Sequence, residues 1–318
     1  MMHKISPESS IEKRTLSVQA DEAGVRLDRY LTIVLPGISR TTIQQLIEDG
    51  EVLVNGRASK SGYTLRTGDK VQVMSLNIQY KAISIMPRSL PLNILYEDKD
   101  LLVVNKAAGM VVHPAPGHLD DTLVNALIAR YPDITREDSE LRPGIIHRLD
   151  KDTSGLIIVA RNAITHAALA GQMKRHEIVK RYLALVEGVV ALDQGGIDAP
   201  IGRNQRNRKQ MAVTIVRSRE ARTNFRVVER YNRHTLLLLE LETGRTHQIR
   251  VHLKAIGHPV VGDPLYGSDR INRGLTLKRQ FLHAYQLKFT HPTRGDVVNL
   301  EVPLPEDLQA ILDQKSFL

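Results

Sequence analysis

The chain of 318 residues contains no cysteine. That absence excludes disulfides, a thiolate nucleophile and any zinc site built on cysteine. A long apolar run is also missing. No stretch approaches the roughly 20 residues that span a bilayer, and the opening MMHKISPESSIEKRT holds no apolar segment of signal-peptide length. A cytoplasmic protein with no membrane partner is expected. There is no internal repeat, heptad pattern or low-complexity segment. No glycine-rich cofactor loop follows a strand, which disfavours a methyltransferase.

Acidic residues are in short supply as well. The 35 Asp and Glu face 44 Lys and Arg, a formal net charge of +9 at pH 7. A polyanionic partner fits that balance better than a neutral metabolite. The surplus is concentrated: Ile201 to Arg233 holds nine Arg and one Lys against two Glu, a local net of +8. Such concentration suits phosphate contacts, from Arg203, Arg206, Arg208 and Lys209 in particular, which read as one mobile basic loop gripping a phosphate backbone. What is present in quantity is apolar material, 42% of the chain. With this length it predicts two domains, one small and one large, each with its own core.

Residues 1–14 lack periodicity and are expected to form a flexible tail. In RLDRYLTIVL, Leu27, Tyr30, Leu31 and Val34 recur at helical spacing, and Pro36-Gly37 ends the helix. Ser39 is placed to cap a second helix that lines up Ile43, Leu46 and Ile47. Val52-Leu53-Val54 before Asn55-Gly56 is a hairpin signal, and Val71-Gln72-Val73 supplies another short strand. The run RLDRYL…SRTTIQQLIEDGEVLVNG resembles the alpha-L RNA-binding module shared by a ribosomal protein and several RNA-modifying enzymes. The resemblance implies an RNA-binding domain over 15–78, with Arg40 and Gln44 facing RNA. A change of composition and two prolines mark 79–91 as a linker.

From Leu92 onward strands dominate. Leu101 to Val104, Leu156 to Ala160, Lys180 to Gly188, Phe225 to Val228, Thr235 to Leu241, Leu282 to Phe289 and Val297 to Val302 read as strands. Helices fall singly between them, around Leu123, over Ile164 to Met173, over RTHQIRVHLKAIG and at Glu306 to Leu312. This is an α+β pattern: a mixed, mostly antiparallel sheet domain over 92–318.

Its chemistry concentrates in GIIHRLDKDTSGLIIVA, Gly144 to Ala160, read as strand, charged turn, strand. A turn holding two acids beside His147, Arg148 and Lys151 is costly between buried strands unless those groups pair or bind something. A solvated hairpin with self-paired charges is the plainer alternative. DKDTSG also has a superficial likeness to the DxDxT loop of magnesium-dependent phosphotransferases, but Arg148 breaks the apolar approach such sites follow. His113, His118, Asp120 and Asp121 lie in a loop rich in proline and glycine, better suited to structure or RNA contact than to a metal. His247 and His252 miss the HExxH spacing. No metal site is expected.

HRLDKDTSG, KRY, GRTHQIRVHL and GDPLYG occur in the order that marks the RluA family of RNA pseudouridine synthases, and the resemblance runs from about Leu92 to Pro303. VVNKAAGMVVHPAPG and RPGIIHRLDKDTSGL are most similar to members acting on large-subunit ribosomal RNA. The resemblance implies Asp150 as nucleophilic carboxylate, Tyr182 against the uracil ring, Arg250 paired with Asp150, and Arg148 entering the base stack that the target leaves. His147, Thr153, Gly155, Arg245 and His247 would support the site. No cofactor is implied, since isomerising uridine to its carbon-linked form involves no net redox change. The implied partner is structured RNA, ribosomal RNA or an assembling large ribosomal particle, met by a monomer. Transfer RNA as target, a non-catalytic assembly factor, and the choice between base and sugar as the atom attacked by Asp150 stay open at this point.

Overall fold

The computed structural model describes residues 14–35, 38, 40–74, 85–115, 117–134, 143–207, 210–267 and 277–314. The expected tail over 1–13, the Pro36-Gly37 stop, the Ser39 cap, residues 79–84 of the expected linker, and Arg208 and Lys209 lie outside the described residues. Two units divide the chain, Met1–Ala82 and Ile83–Leu318.

In the first unit the helical apolar spacing builds α1 (Leu27–Val34) and α2 (Arg40–Glu48). Leu27, Leu31, Ile43 and Ile47 from these helices share one core with Val52 and Val71 from a small sheet. That sheet runs in the order β1 (Arg14–Ser17), β4 (Lys70–Val73), β2 (Val52–Val54), β3 (Arg57–Ala58), with β2 and β3 following α2 in the chain. Asn55 and Gly56 both hold positive φ, 52° and 75°, as a two-residue type I′ hairpin requires.

The second unit is built on a nine-stranded sheet. In chain order its elements are β5 (Asn93–Glu97), β6 (Leu101–Lys106), α3 (Leu123–Arg130), β7 (Ser154–Ala160), α4 (Ala163–Lys174), β8 (Val179–Glu187) and β9 (Gln194–Asp198). A separate hairpin, β10 (Ile201–Arg203) and β11 (Met211–Val213), comes next. Then follow β12 (Arg222–Arg230), β13 (His234–Leu241), α5 (Gln248–Ala255), β14 (Leu282–Thr290), β15 (Val297–Glu301) and α6 (Glu306–Asp313). The sheet order is β5-β6-β7-β14-β8-β13-β12-β9, with β15 on β14. Only the β7 and β14 pair is parallel, so the mixed, mostly antiparallel architecture follows.

Every residue of β7 is buried, which its unbroken apolar run requires. β14 lies between β7 and β8 and aligns them: Ala284 stands opposite Gly155 on one side and Tyr182 on the other. Gly155 has φ 113°, and a Cβ there would lie 2.3 Å from the Ala284 carbonyl oxygen. Only glycine permits this approach, so Gly155 sets the register between the charged turn and the strand that carries Tyr182.

Three expectations are corrected. The segment leading into the charged turn is a single bridge, Ile145 to Val159, rather than a strand, because only one turn of pairing fits before His147 bends away. The basic stretch is partly a hairpin, with Arg203 in β10 opposite Met211. Residues 85–91 of the expected linker belong to the second unit, where Ile85 is buried in the core with Leu123 and the Met86 carbonyl accepts a hydrogen bond from Asn125 Nδ2.

Candidate active site

The turn before β7 is clamped through its own backbone. Asp150 O accepts from Thr153 N at 3.1 Å, Lys151 O from Lys106 Nζ and Gly109 N at 3.0 Å each, and Asp152 O from Arg279 Nη1 at 3.1 Å. Thr153 Oγ1 accepts from Gln280 Nε2, and Leu149 is buried in the main core beside Tyr182. With Leu149 anchored inward, Arg148 is exposed while Asp150 faces a cavity of about 540 Å³. His147 Nε2 accepts from Ile158 N at 3.1 Å, so its proton sits on Nδ1. Burial, helped by the Lys180 charge, pulls His147 down to about 3, and the ring is neutral at pH 7.

Opposite the turn, α5 delivers Arg250. Its Nη1 donates to Asp150 Oδ2 at 2.9 Å, while Nε and Nη2 form a fork on Asp263 at 2.6 and 2.9 Å. Arg250 is 4% exposed, the Asp263 side chain 0% and the Asp150 side chain 18%. Burial opposes the guanidinium charge, but Asp263 and then Asp150 outweigh it and raise the Arg250 pKa. The planar fork leaves little freedom of aim, so Asp263 fixes the direction in which Arg250 meets Asp150. Asp263 also accepts from the N–H groups of Leu265 and Tyr266, which ties it to its own loop.

Tyr182 lines the same cavity from β8 and is buried. Burial and the nearby Asp150 charge raise its pKa, so the ring is a neutral phenol. Tyr266 packs its ring against Arg250, with the guanidinium carbon 5.1 Å from the ring centroid. Its hydroxyl accepts from Met211 N at 2.8 Å and lies 2.9 Å from His247 Nδ1. His247 itself takes a left-handed backbone, φ 55°, at the start of α5.

The geometry thus collects Asp150, Tyr182, Arg250, Arg148, His147, Thr153, Arg245 and His247 around one cavity. Gly155 supports it from the strand behind, as described above. Arg203 and exposed Arg206 belong to the β10–β11 hairpin, whose far strand is held to the Tyr266 loop by Gln210 Nε2 on Leu265 O and by Met211 N. Arg40 and Gln44 both donate to Asp28 Oδ2, at 2.7 and 2.8 Å, and close over a buried carboxylate of their own unit, with the Arg40 side chain still half exposed. In the loop considered for a metal, Asp121 pairs with His118 and Asp120 with Arg88.

Comparison with known proteins identifies the family. Residues 100–255 match the family model described as RNA pseudouridylate synthase, and residues 25–71 match the S4 domain. An uncharacterized RNA pseudouridine synthase of Bacillus subtilis is 44% identical over 94% of this chain and 96% of that protein. The ribosomal large subunit pseudouridine synthase D of Xanthomonas campestris is 43% identical over 94% of this chain and 91% of its own length.

The chain belongs to the RluA family of RNA pseudouridine synthases. Among solved structures, the human RNA pseudouridylate synthase domain containing 1 matches with a TM-score of 0.56 at 32% identity, covering 69% of this chain and 87% of that one. This synthase carries its S4 domain, an RNA-binding module, ahead of the catalytic fold. Among the described residues, no helix is long and apolar enough to cross a membrane.

Two residues of the synthase escape sequence reasoning. Asp263 lies in GDPLYG, a motif visible in the sequence, but its acid reads as ordinary turn chemistry. Lys106 is 1% exposed and donates to three carbonyls, of Ala107, Met110 and Lys151, at 2.8, 2.9 and 3.0 Å. Burial draws its pKa down to about 7 against the pull of Asp152 and Asp150. A lysine in a VVNK strand gives no sign of that role, because lysine is rarely buried.

Proposed function

We propose that this synthase isomerises uridines of large-subunit ribosomal RNA with Asp150 as its nucleophilic carboxylate. The observation that carries the assignment is the Asp150 to Arg250 pair at 2.9 Å, at the edge of a cavity that Tyr182 also lines. A guanidinium at hydrogen-bond distance aims the carboxylate through a directed, charge-assisted hydrogen bond, and an aspartate carboxylate can act as a covalent nucleophile. The uridine N1–C1′ bond breaks, the uracil turns, C5 bonds to C1′ and the C5 proton leaves. Tyr182 gives the flipped base an aromatic wall, and Arg148 at the mouth fills the gap left in the stack. Flipping costs a few kcal/mol, which such contacts offset.

The ribosomal target is supported by relatives named for the large subunit, at 40–43% identity over 93–96% of this chain. The basic β10–β11 hairpin and the S4 domain suit a structured polyanion. Pseudouridine mapping of ribosomal and transfer RNA from a deletion strain and its parent tests the target. Loss of specific pseudouridines in large-subunit RNA is expected. Losses confined to transfer RNA would move the target while leaving the chemistry in place.

A further inference from the structure

β8 brings a second functional group into the cavity, and the steps above leave it unused. Lys180 stands two residues before Tyr182, so both side chains leave the same face of the strand, about 6.6 Å apart along it. Lys180 is 5% exposed and lines the cavity with Asp150 and Tyr182. An ammonium carries three donors, and burying it is costly unless they meet good acceptors. Among the described residues its one hydrogen bond goes to the Met173 thioether, at 3.3 Å, a weak acceptor. Burial draws the Lys180 pKa down against the pull of Glu240, a carboxylate already gripped by Arg181 at 2.8 Å. Lys106 shows the contrast: equally buried, it spends its donors on three carbonyls. Lys180 is therefore a dry, poorly satisfied donor beside the position proposed for the base, and an anion forming there would favour its ammonium form.

The reaction supplies the acceptor. Whether Asp150 attacks the pyrimidine or the sugar, the uracil ring carries negative charge before C5 bonds to C1′. Attack on the ring puts that charge on a carbonyl oxygen. Cleavage of N1–C1′ leaves the bonding pair on the detached base, spread over N1 and both carbonyl oxygens. C5 then bonds to C1′, the bond that Asp150 formed to the ring or the sugar breaks with its pair returning to the carboxylate, and loss of the C5 proton with protonation of N1 completes the isomerisation with atoms and electrons balanced.

The geometry points to Lys180 as a further catalytic residue of this synthase: its ammonium donates to a uracil carbonyl oxygen and stabilises the anionic ring while it turns. This rests on the pseudouridine synthase reading of the chain and on the base lying against Tyr182. It assigns a task to the first residue of KRY, independent of the nucleophile.

Two arms test it, both under single turnover on a synthetic stem-loop carrying a mapped target uridine. Lys180→Met keeps the stem and removes the donor, leaving no buried charge behind. Its isomerisation rate should fall about 100-fold or more while RNA affinity stays within about twofold, as for loss of one donor to a developing anion. In the second arm the target is 2-thiouridine or 4-thiouridine, since an ammonium donates poorly to sulfur. One substitution should slow the wild-type protein, and that penalty should vanish in Lys180→Met. The proposal is overturned if Lys180→Met keeps more than about a third of the rate, or if its lower activity is matched by weaker RNA binding. It is equally overturned if neither thio-substitution slows the wild-type protein, a result that needs no variant to fold. Wild-type protein that converts no uridine in ribosomal or transfer RNA would instead remove the synthase reading itself.

Discussion

Asp28 and Asp150 are both met by arginine, and they are put to opposite uses. Asp28, in the S4 unit, has a side chain 0% exposed and accepts from Arg26, Arg40, Gln44 and the Arg29 N–H. Burial opposes its ionisation, yet those hydrogen bonds hold its carboxyl well below the usual carboxylate range. Asp150 has a single hydrogen bond to its carboxylate among the described residues, from Arg250, and its remaining lone pairs face the cavity. Arg250 in turn is pinned from behind by Asp263, so it orients Asp150 without enclosing it. A carboxylate saturated with donors is architecture. One that is aimed, charged and left partly open can serve as a reagent.

The contrast breaks most sharply at the aspartates themselves. Asp150→Asn should lower isomerisation by a factor on the order of 10⁴ or more, as loss of a nucleophile does, with little change in thermal unfolding. Asp28→Ala should do the reverse, costing the S4 unit about 2 kcal/mol as hydrogen bonds to a buried charged group are lost. Denaturant unfolding of each variant, read beside turnover, separates the two. Acid probes the same difference. Because the folded pKa of Asp28 is depressed, its contribution is complete above roughly pH 4, the unfolded value, and drains away as pH falls below it toward the folded value. The S4 unit of Asp28→Ala should lose less stability than the parent over that range, and equal losses would show that Asp28 is not the group responsible.

Removing the support behind Arg250 should have an intermediate effect. Asp263→Asn keeps the volume but weakens the fork, and turnover should drop about 10-fold to 100-fold, the range for a partner that orients a reacting group. RNA affinity should hold, and a matching fall in affinity would mean that Asp263 shapes the binding surface instead. A smaller effect is expected from neutralising Arg203 and Arg206 together, which should weaken RNA binding and reduce the salt slope by about 0.7 to 0.9 for each phosphate that is no longer neutralised. The smallest belongs to Arg40→Ala. Arg26 and Gln44 still hold Asp28 there, so the S4 unit should lose about 1 kcal/mol. Any loss of RNA affinity in that variant must be read after correcting for this unfolding.

Local pattern carries much of the fold. α1, α2, the Asn55-Gly56 turn, the KRY strand and the α5 helix stopped by Gly257 all follow from spacing and turn chemistry. The placement of β14 between β7 and β8 does not, because pairings such as Ser154 with His283 join residues 129 positions apart and leave no local mark. The same limit applies to the site. Asp150, Tyr182 and Arg250 stand in motifs, whereas Asp263 hides a long-range ion pair behind an ordinary turn, and Lys106 and Lys180 defy the expectation that lysines face water. For Arg40 and Gln44 the residues are those the S4 resemblance picks out, but their side chains answer first to a buried acid in α1.

Single-turnover conversion of a target uridine by purified Asp150→Asn decides whether that one carboxylate is the reagent. RNA should bind as tightly as it does to the parent, with uridine left intact long after the parent has converted all of it. Pseudouridine formed at a comparable rate would contradict the assignment.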